Sequence, residues 1–379
     1  MSSSVTSCAT SPAADLVVVG AGIVGLAHAV EAVRSGLTVR IVERDAAAVG
    51  ASVRNFGHAC VTAQAGELFD LAQVSRQGWL ECAERVGFWA PRAGAVVVAR
   101  APDELAVLEE FAATRDPESV QLLRPQDVGD RLAIDPATVV GGAFLSQDLR
   151  VDPRSTVGAI AAWLSRQPRV TFHWGTTVHG AGDGVVATSR GDLRADRVVV
   201  AVGHDLDYVY PELAARHELQ RCRLAMALVD APERFTCDSA VLTATSMLRY
   251  DGLAQTSAAG ALRMRLTREA PQLLDIGANV MATRRPDGTL LVGDSHHYGA
   301  DAPPFLDEDV ADLLLEEVAR VLGADRLRVR QRWQGVYASS PTTALIRESP
   351  APGVDVITVS TGIGMTIAFG LARDTLATF

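Results

Sequence analysis

The chain has 379 residues, 48% of them hydrophobic and 21% charged, with 32 glycines, a globular composition that suits two closely packed domains or one large α/β unit with an inserted layer. Its formal net charge of −10 argues against nucleic acid or an anionic membrane surface as partner, because either would call for a basic face. All 35 basic residues are arginine, so no mechanism here can use a Schiff-base amine or a readily titrated lysine.

Residues 1–14 lack the basic start and apolar middle of a signal peptide and read as a disordered leader. Cys8, Cys60, Cys82, Cys222 and Cys237 contain no C-x-x-C pair and no cluster at metal spacing; reduced thiols, a cytoplasmic location and no metal are expected. Residues 16–19 form an apolar strand, followed by Gly20-Ala21-Gly22-Ile23-Val24-Gly25, a helix to about Arg34, and a second apolar strand over 37–42. His28 and Glu31 interrupt the apolar run, which excludes a membrane anchor.

In such a turn Gly20 gives the tight bend, Gly22 lets the backbone approach a pyrophosphate, and Gly25 lets the helix pack on the strand. The helix N-terminus, at Ile23 and Val24, offers free N–H groups to the phosphates. Glu43, at the end of the second strand, is placed to accept hydrogen bonds from a ribose, with Arg44 beside it. An acid there disfavours the 2′-phosphate of NADP and leaves NAD or FAD.

The stretch "VGASVRNFGHA" (49–59) then supplies Ser52, Arg54, Asn55, Phe56, Gly57 and His58 as cofactor contacts. "RAGAVVVAR", "RCRLAMALVD" and "GTLLVGDS" read as strands, and residues 306–323 as an amphipathic helix. "WGTTVHG" offers an edge strand at Val178 for an adenine, and "DRVVVAVGHD" (196–205) a strand ending in Ala201-Val202-Gly203, where backbone can touch a dinucleotide. Near the C-terminus comes a strand over 356–359, a turn with Gly362 and Gly364, and a helix starting near Met365-Thr366. The positive end of that helix suits the electron-rich N1/C2=O edge of a reduced flavin.

At these residues the sequence resembles the D-amino-acid-oxidase superfamily of FAD enzymes, which includes glycine oxidase and monomeric sarcosine oxidase, from about Asp15 to the end. "SVRNFG", "GDSHHYG" (293–299), "RWQGVYA" (332–338) and "GMTIAFGLA" together are similar to a bacterial subgroup associated with phosphonate breakdown, whose proposed substrates are 2-aminoethylphosphonate-like amines, including hydroxylated or N-methylated forms. The resemblance implies an α/β fold with an α+β roof. A discontinuous Rossmann-like FAD-binding domain would comprise 15–90, 140–215 and 335–379, and an antiparallel-sheet substrate domain 91–139 and 216–334. It also implies hydride transfer from the carbon beside an amine nitrogen to flavin N5. The imine would then hydrolyse to an aldehyde and ammonia or an amine, with O2 reduced to H2O2 or another acceptor used.

His58 and His296 are the candidate catalytic residues, His58 having backbone satisfaction as its alternative. Arg249, Tyr250, His296, His297, Tyr298, Arg332 and Tyr337 are candidate substrate contacts, with Arg284 a further arginine beside a strand. Alternation along the strand puts His296 and Tyr298 on one face and His297 on the other. An anion clamp here must be arginine; one arginine would suit a carboxylate, two or more basic donors a phosphonate dianion. Sarcosine oxidases of that superfamily tether FAD through a cysteine shortly before their last segment, where "RWQGVYASS" has none, so non-covalent FAD is expected. A D- or N-methyl amino acid is the alternative substrate. An NAD-dependent dehydrogenase, or a nucleotide-binding protein without catalysis, would leave the "STGIGMT" and "SVRNFG" loops unexplained.

Overall fold

The structure, a computed structural model, describes residues 13–379; Cys8 and all but the last two residues of the expected leader lie outside them. Strand Ala14–Val19 forms the centre of the first sheet, parallel to Val39–Val42 on one side and Leu193–Val200 on the other. Val170–His173 and Val354–Val359 extend the parallel set, and Leu345–Ala351 closes one edge antiparallel. Buried from both faces, the central strands can be apolar without alternation, and Leu16, Val17 and Val18 are wholly buried.

Three helices, Ile23–Arg34, Gly66–Val86 and Gly364–Leu376, pack together on this sheet. Trp79 Nε1–H donates to the Met365 carbonyl at 2.7 Å, and Glu31, Arg34, Glu81 and Arg373 form one ion-pair network across the three. The start of the C-terminal helix is thereby fixed against the first βαβ unit, although more than 300 positions separate them.

The second sheet has nine strands and is mostly antiparallel. Gln220–Val229 is its longest-paired member, with Val329–Ser339 along one side and Leu290–Gly293 and His297–Gly299 along the other. The amphipathic helix Glu308–Val321 packs its apolar face on the outer side, with Leu314 and Val318 buried.

Two expected boundaries shift. Gly141–Leu145 pairs with Ala95–Ala99 in the second sheet, so the chain returns to the first layer only after it. Val329–Ser339 pairs along its whole length with Gln220–Val229, so position 335 falls inside a strand whose ladder holds it in one sheet. Among the described residues no helix is long and apolar enough to cross a membrane, and Cys60, Cys82, Cys222 and Cys237 are free thiols.

Candidate active site

A continuous cleft of about 550 Å³ runs between the two sheets. At one end it meets the first βαβ turn. Gly20, at φ +102°, lies so close to the third strand that a Cβ would sit 2.5 Å from the Ala201 carbonyl oxygen. Beyond it Ala21 N–H donates to Glu43 Oε2 at 2.8 Å, and Ile23 N–H to Ser52 Oγ at 2.8 Å. Two donors at the start of the helix are therefore already met by side chains that themselves line the cleft.

Gly22, Ile23, Val24, Arg44, Val178, Ala201 and Gly203 line the same end, with Arg44 paired to Asp205 at 2.9 Å. Gly25 does not line it. A Cβ there would lie 2.0 Å from the Gly20 carbonyl oxygen, so this glycine is needed for helix-on-strand packing and acts on a ligand only through the turn.

In the middle, Asn55 braces the loop before His58: its Nδ2 donates to the Ala51 and Ser52 carbonyls, and its Oδ1 accepts from Gly57 N–H at 2.8 Å. Arg54, Phe56 and His58 line the cleft. Gly57 does not; at φ +65°, a Cβ on it would fall 2.0 Å from the Val151 carbonyl oxygen, so its part is to bend the loop. His58 Nε2 meets Asp148 Oδ2 at 2.8 Å, and Asp148 Oδ1 accepts from Val61 N–H, Thr62 N–H and Thr62 Oγ1–H. So supplied with donors, Asp148 accepts from His58 Nε2–H, and His58 Nδ1 is buried without a partner among the described residues.

Sequence reading missed this dyad, because residues 58 and 148 meet only through the pairing of His58–Ala59 with Leu149–Arg150. Ligand atoms of His58, Cys60 and Asp148 lie within 4.8 Å of one another. The four donors already on Asp148 explain that proximity without a metal.

Gly362, Gly364, Met365 and Thr366 line the far side. Gly362 stands at φ +78°, and a Cβ would come 2.9 Å from the Tyr337 ring, so the turn is pressed against the roof. The Thr366 hydroxyl accepts from Cys60 N–H at 3.1 Å.

The roof contributes Arg249, Tyr250, Asn279, Asp294, His296 and Tyr337. Arg249 opens only on the cleft, the protein walling it off elsewhere. Its Nη2 donates to Tyr337 OH at 3.1 Å and to the Thr361 carbonyl at 2.9 Å, and its Nε points at His296 Nε2 at 3.4 Å. Among the described residues it has no carboxylate partner. His296 Nδ1 meets the Gly277 carbonyl at 2.9 Å, which puts the proton on Nδ1 and leaves Nε2 to accept. Burial and the neighbouring Arg249 push its pKa down to about 3. His296, a candidate catalytic residue from sequence, is thus a neutral support for Arg249.

Tyr250 OH donates to Met281 Sδ at 3.4 Å, a weak bond that a better acceptor can replace. His297 is exposed and faces away. Tyr298 shares the His296 side, their rings 6.3 Å apart, but is 48% exposed and does not line the cleft. Arg332 is turned outward by strand alternation and binds Glu308 and Asp312 of the outer helix; Arg284 holds Asp238 at 3.0 Å. Asp294 and Asn279 escaped the sequence reading, although Asp294 stands two residues from His296 and alternation places both on one face.

The cleft fits a flavin dinucleotide by its own features: side-chain-free backbone at Gly20 and Gly22, an unpartnered imidazole nitrogen midway, and a helix N-terminus at the far wall.

Solved structures with the same fold include glycine oxidase from Geobacillus kaustophilus (17% identity, 97% of this chain and 95% of that one, TM-score 0.75). L-amino acid deaminase from Proteus vulgaris also matches (20%, 97% and 90%, 0.75), as does L-alpha-glycerophosphate oxidase from Mycoplasma pneumoniae with FAD bound (18%, 97% and 96%, 0.73). No curated protein matches the chain. Residues 15–377 match the family described as FAD dependent oxidoreductase, so the chain belongs to that family and FAD is its cofactor.

Proposed function

We propose that this enzyme oxidises the C–N bond of a small zwitterionic amine, with FAD bound non-covalently. One observation carries the reading: Arg249 places a charged guanidinium in the cleft with only neutral partners, and a charge so enclosed is costly until an anion joins it. Its Nη1, without a hydrogen-bond partner among the described residues, would take one oxygen of the substrate's acidic end, and the Tyr250 hydroxyl would serve another.

FAD, when bound, accepts a hydride from the carbon beside the amine nitrogen. The chain's part is to hold and orient. Gly20, Gly22, Ile23, Val24 and Ser52 would hold the pyrophosphate, and Glu43 the ribose, with Arg44, Val178, Ala201 and Gly203 around the adenosine. Arg54, Asn55, Phe56 and His58 would flank the ring system, and the helix start at Gly362–Thr366 would face its pyrimidine edge. His58 Nδ1 would accept a hydrogen bond beside the reacting centre, oriented by Asp148. The imine product would hydrolyse in water to a carbonyl compound and ammonia or an amine. The two electrons taken up would go to O2, giving H2O2, or to another acceptor.

Among the described residues Arg249 is the one arginine by which the roof lines the cleft, which favours a carboxylate over a phosphonate dianion, and the oxidase of glycine and the deaminase of L-amino acids among the structural neighbours support an amino acid, N-methylated or not. An aminophosphonate is the second reading, favoured by the "SVRNFG" and "GDSHHYG" motifs. Amino acids and 2-aminoethylphosphonates, each as primary and N-methyl amines, are mixed anaerobically with the holoenzyme while the visible flavin band is followed. Bleaching by amino acids alone is expected; bleaching by aminophosphonates alone selects the second reading, and bleaching by neither overturns both.

Cys60 is the cysteine that lines the cleft, and burial holds its thiol pKa well above the usual range, which makes it a poor nucleophile. Acid precipitation should therefore release the yellow chromophore to the supernatant. Colour retained in the pellet would show a covalent link.

A further inference from the structure

We infer that Asp294, held in place by Asn279, receives the substrate's ammonium group and makes the cleft select zwitterions over simple anions. The inference rests on the proposed zwitterionic substrate and adds the residue that recognises its cationic end.

Asp294 is 4% exposed and lines the cleft together with Arg249. Its main chain is pinned, N–H donating to the Asn279 carbonyl at 3.0 Å and C=O accepting from Asn279 N–H at 2.8 Å. Oδ1 accepts from Asn279 Nδ2 at 3.2 Å. Among the described residues Oδ2 has no donor, and no cation pairs with the carboxylate. Asn279 Oδ1, also buried, has no partner either. Asp294 Oδ2 is therefore an acceptor without a donor on a residue that lines the cleft, and an ammonium group carries three N–H donors and no acceptor.

Charge gives a second argument. Arg249 and Asp294 line one cleft without pairing, so a zwitterion answers both buried charges, whereas a plain anion leaves Asp294 bare. Asp294 also has somewhere to put a proton. One N–H bond of the ammonium breaks, an O–H bond forms at Oδ2, and the electron pair stays on nitrogen as the free amine. Burial raises the Asp294 pKa to about 7, Arg249 opposing the rise. The other titratable groups near it stay neutral in that range: burial pushes Cys222 up to about 11 and raises Tyr250 and Tyr298, and His296 is pushed down to about 3.

The test uses ligands that cannot be oxidised because the carbon beside nitrogen carries no hydrogen. Holoenzyme is titrated by calorimetry with 2-aminoisobutyrate and with isobutyrate, its amine-free counterpart. The same is done with 2-amino-2-methylpropylphosphonate and 2-methylpropylphosphonate, so that the choice of anion does not decide the outcome. For whichever pair binds, Asp294→Asn should weaken the zwitterion at least tenfold and leave the plain anion within twofold. Asp294→Ser, which removes the carboxylate and shortens the side chain, should repeat the pattern, with flavin content and unfolding midpoint confirming intact protein. Arg249→Met should weaken both members alike. Equal loss of both members in the Asp294 variants, or loss of neither, overturns the inference while leaving the function standing. Failure of the wild-type holoenzyme to bind any of the four ligands overturns the zwitterion reading and this inference with it.

Discussion

The two ends of the cleft are built in opposite ways. The dinucleotide end is made of backbone from one contiguous βαβ unit: Gly20, Gly22 and the helix start work by what they lack, and the nearest supporting side chains, Glu43 and Ser52, lie within thirty residues. The roof end is made of side chains: Tyr337 on a strand of a separate sheet, Asn279, Asp294 and His296 at the ends of three neighbouring strands, and Arg249 just after a short helix. The first end tolerates almost no added atom, and the second almost no lost charge.

The largest effect should follow from adding an atom. Gly25→Ala places a methyl 2.0 Å from the Gly20 carbonyl oxygen, an overpacking that costs about 3 kcal/mol. Both the unfolding midpoint and the flavin-to-protein ratio should fall, although Gly25 does not line the cleft. An alanine variant that keeps full flavin content would break the backbone account of this end.

Arg249→Met should come next and act differently. Losing one member of a buried charge-assisted contact costs about 2–5 kcal/mol, so kcat/KM should drop by roughly 10³-fold at about 1.4 kcal/mol per factor of ten. Flavin content should stay at the wild-type level. Arg150 is a useful contrast, because it is wholly buried and spends its donors on the carbonyls of Gly57, Asp238 and Arg284; its replacement should harm folding before substrate binding.

The same division decides what could be read from the sequence. Glycine spacing, the apolar strands on either side of it, and Glu43 identify the dinucleotide end because the residues that cooperate there are neighbours in the chain. At the roof, residue type alone could not tell Arg249 from Arg332. Both stand beside strands, and what separates them is which face each occupies and what packs on it. Position 332 faces the helix Glu308–Val321, whereas 249 follows the short helix Ala244–Met247 into the cleft. The histidine pair drew attention in "GDSHHYG", but the aspartate of that motif lines the cleft as well, and strand alternation was the available signal for it. His58–Asp148 was invisible for a simpler reason, a contact ninety residues apart across a two-residue strand.

A smaller, pH-dependent effect tests Asp294. Its folded pKa of about 7 lies above the ordinary carboxylate value of 3.8, so the neutral form is the one the fold prefers. Its contribution to stability is fully present below pH about 4 and is lost as pH rises through about 7. Ammonium binding requires the opposite, charged form. The substrate-free enzyme should therefore lose stability over the window in which kcat/KM rises, and Asp294→Asn should flatten both curves. A kcat/KM profile that keeps its rise near pH 7 in the variant would assign that titration to another group.

Arg332→Ala should do least. The arginine bridges Glu308 and Asp312, at 66% and 64% side-chain exposure, where solvent screens the pair and side-chain entropy offsets most of the attraction, leaving at most about 1 kcal/mol. The unfolding midpoint should move by a degree or two, and kcat/KM should stay within twofold, since strand alternation points the side chain away from the cleft. A loss of kcat/KM comparable to that of Arg249→Met would mean that the outer face of Val329–Ser339 communicates with the substrate. A twofold limit, with Arg249→Met falling by three orders of magnitude, would show that one guanidinium alone meets the anion, as a carboxylate requires and a phosphonate dianion does not.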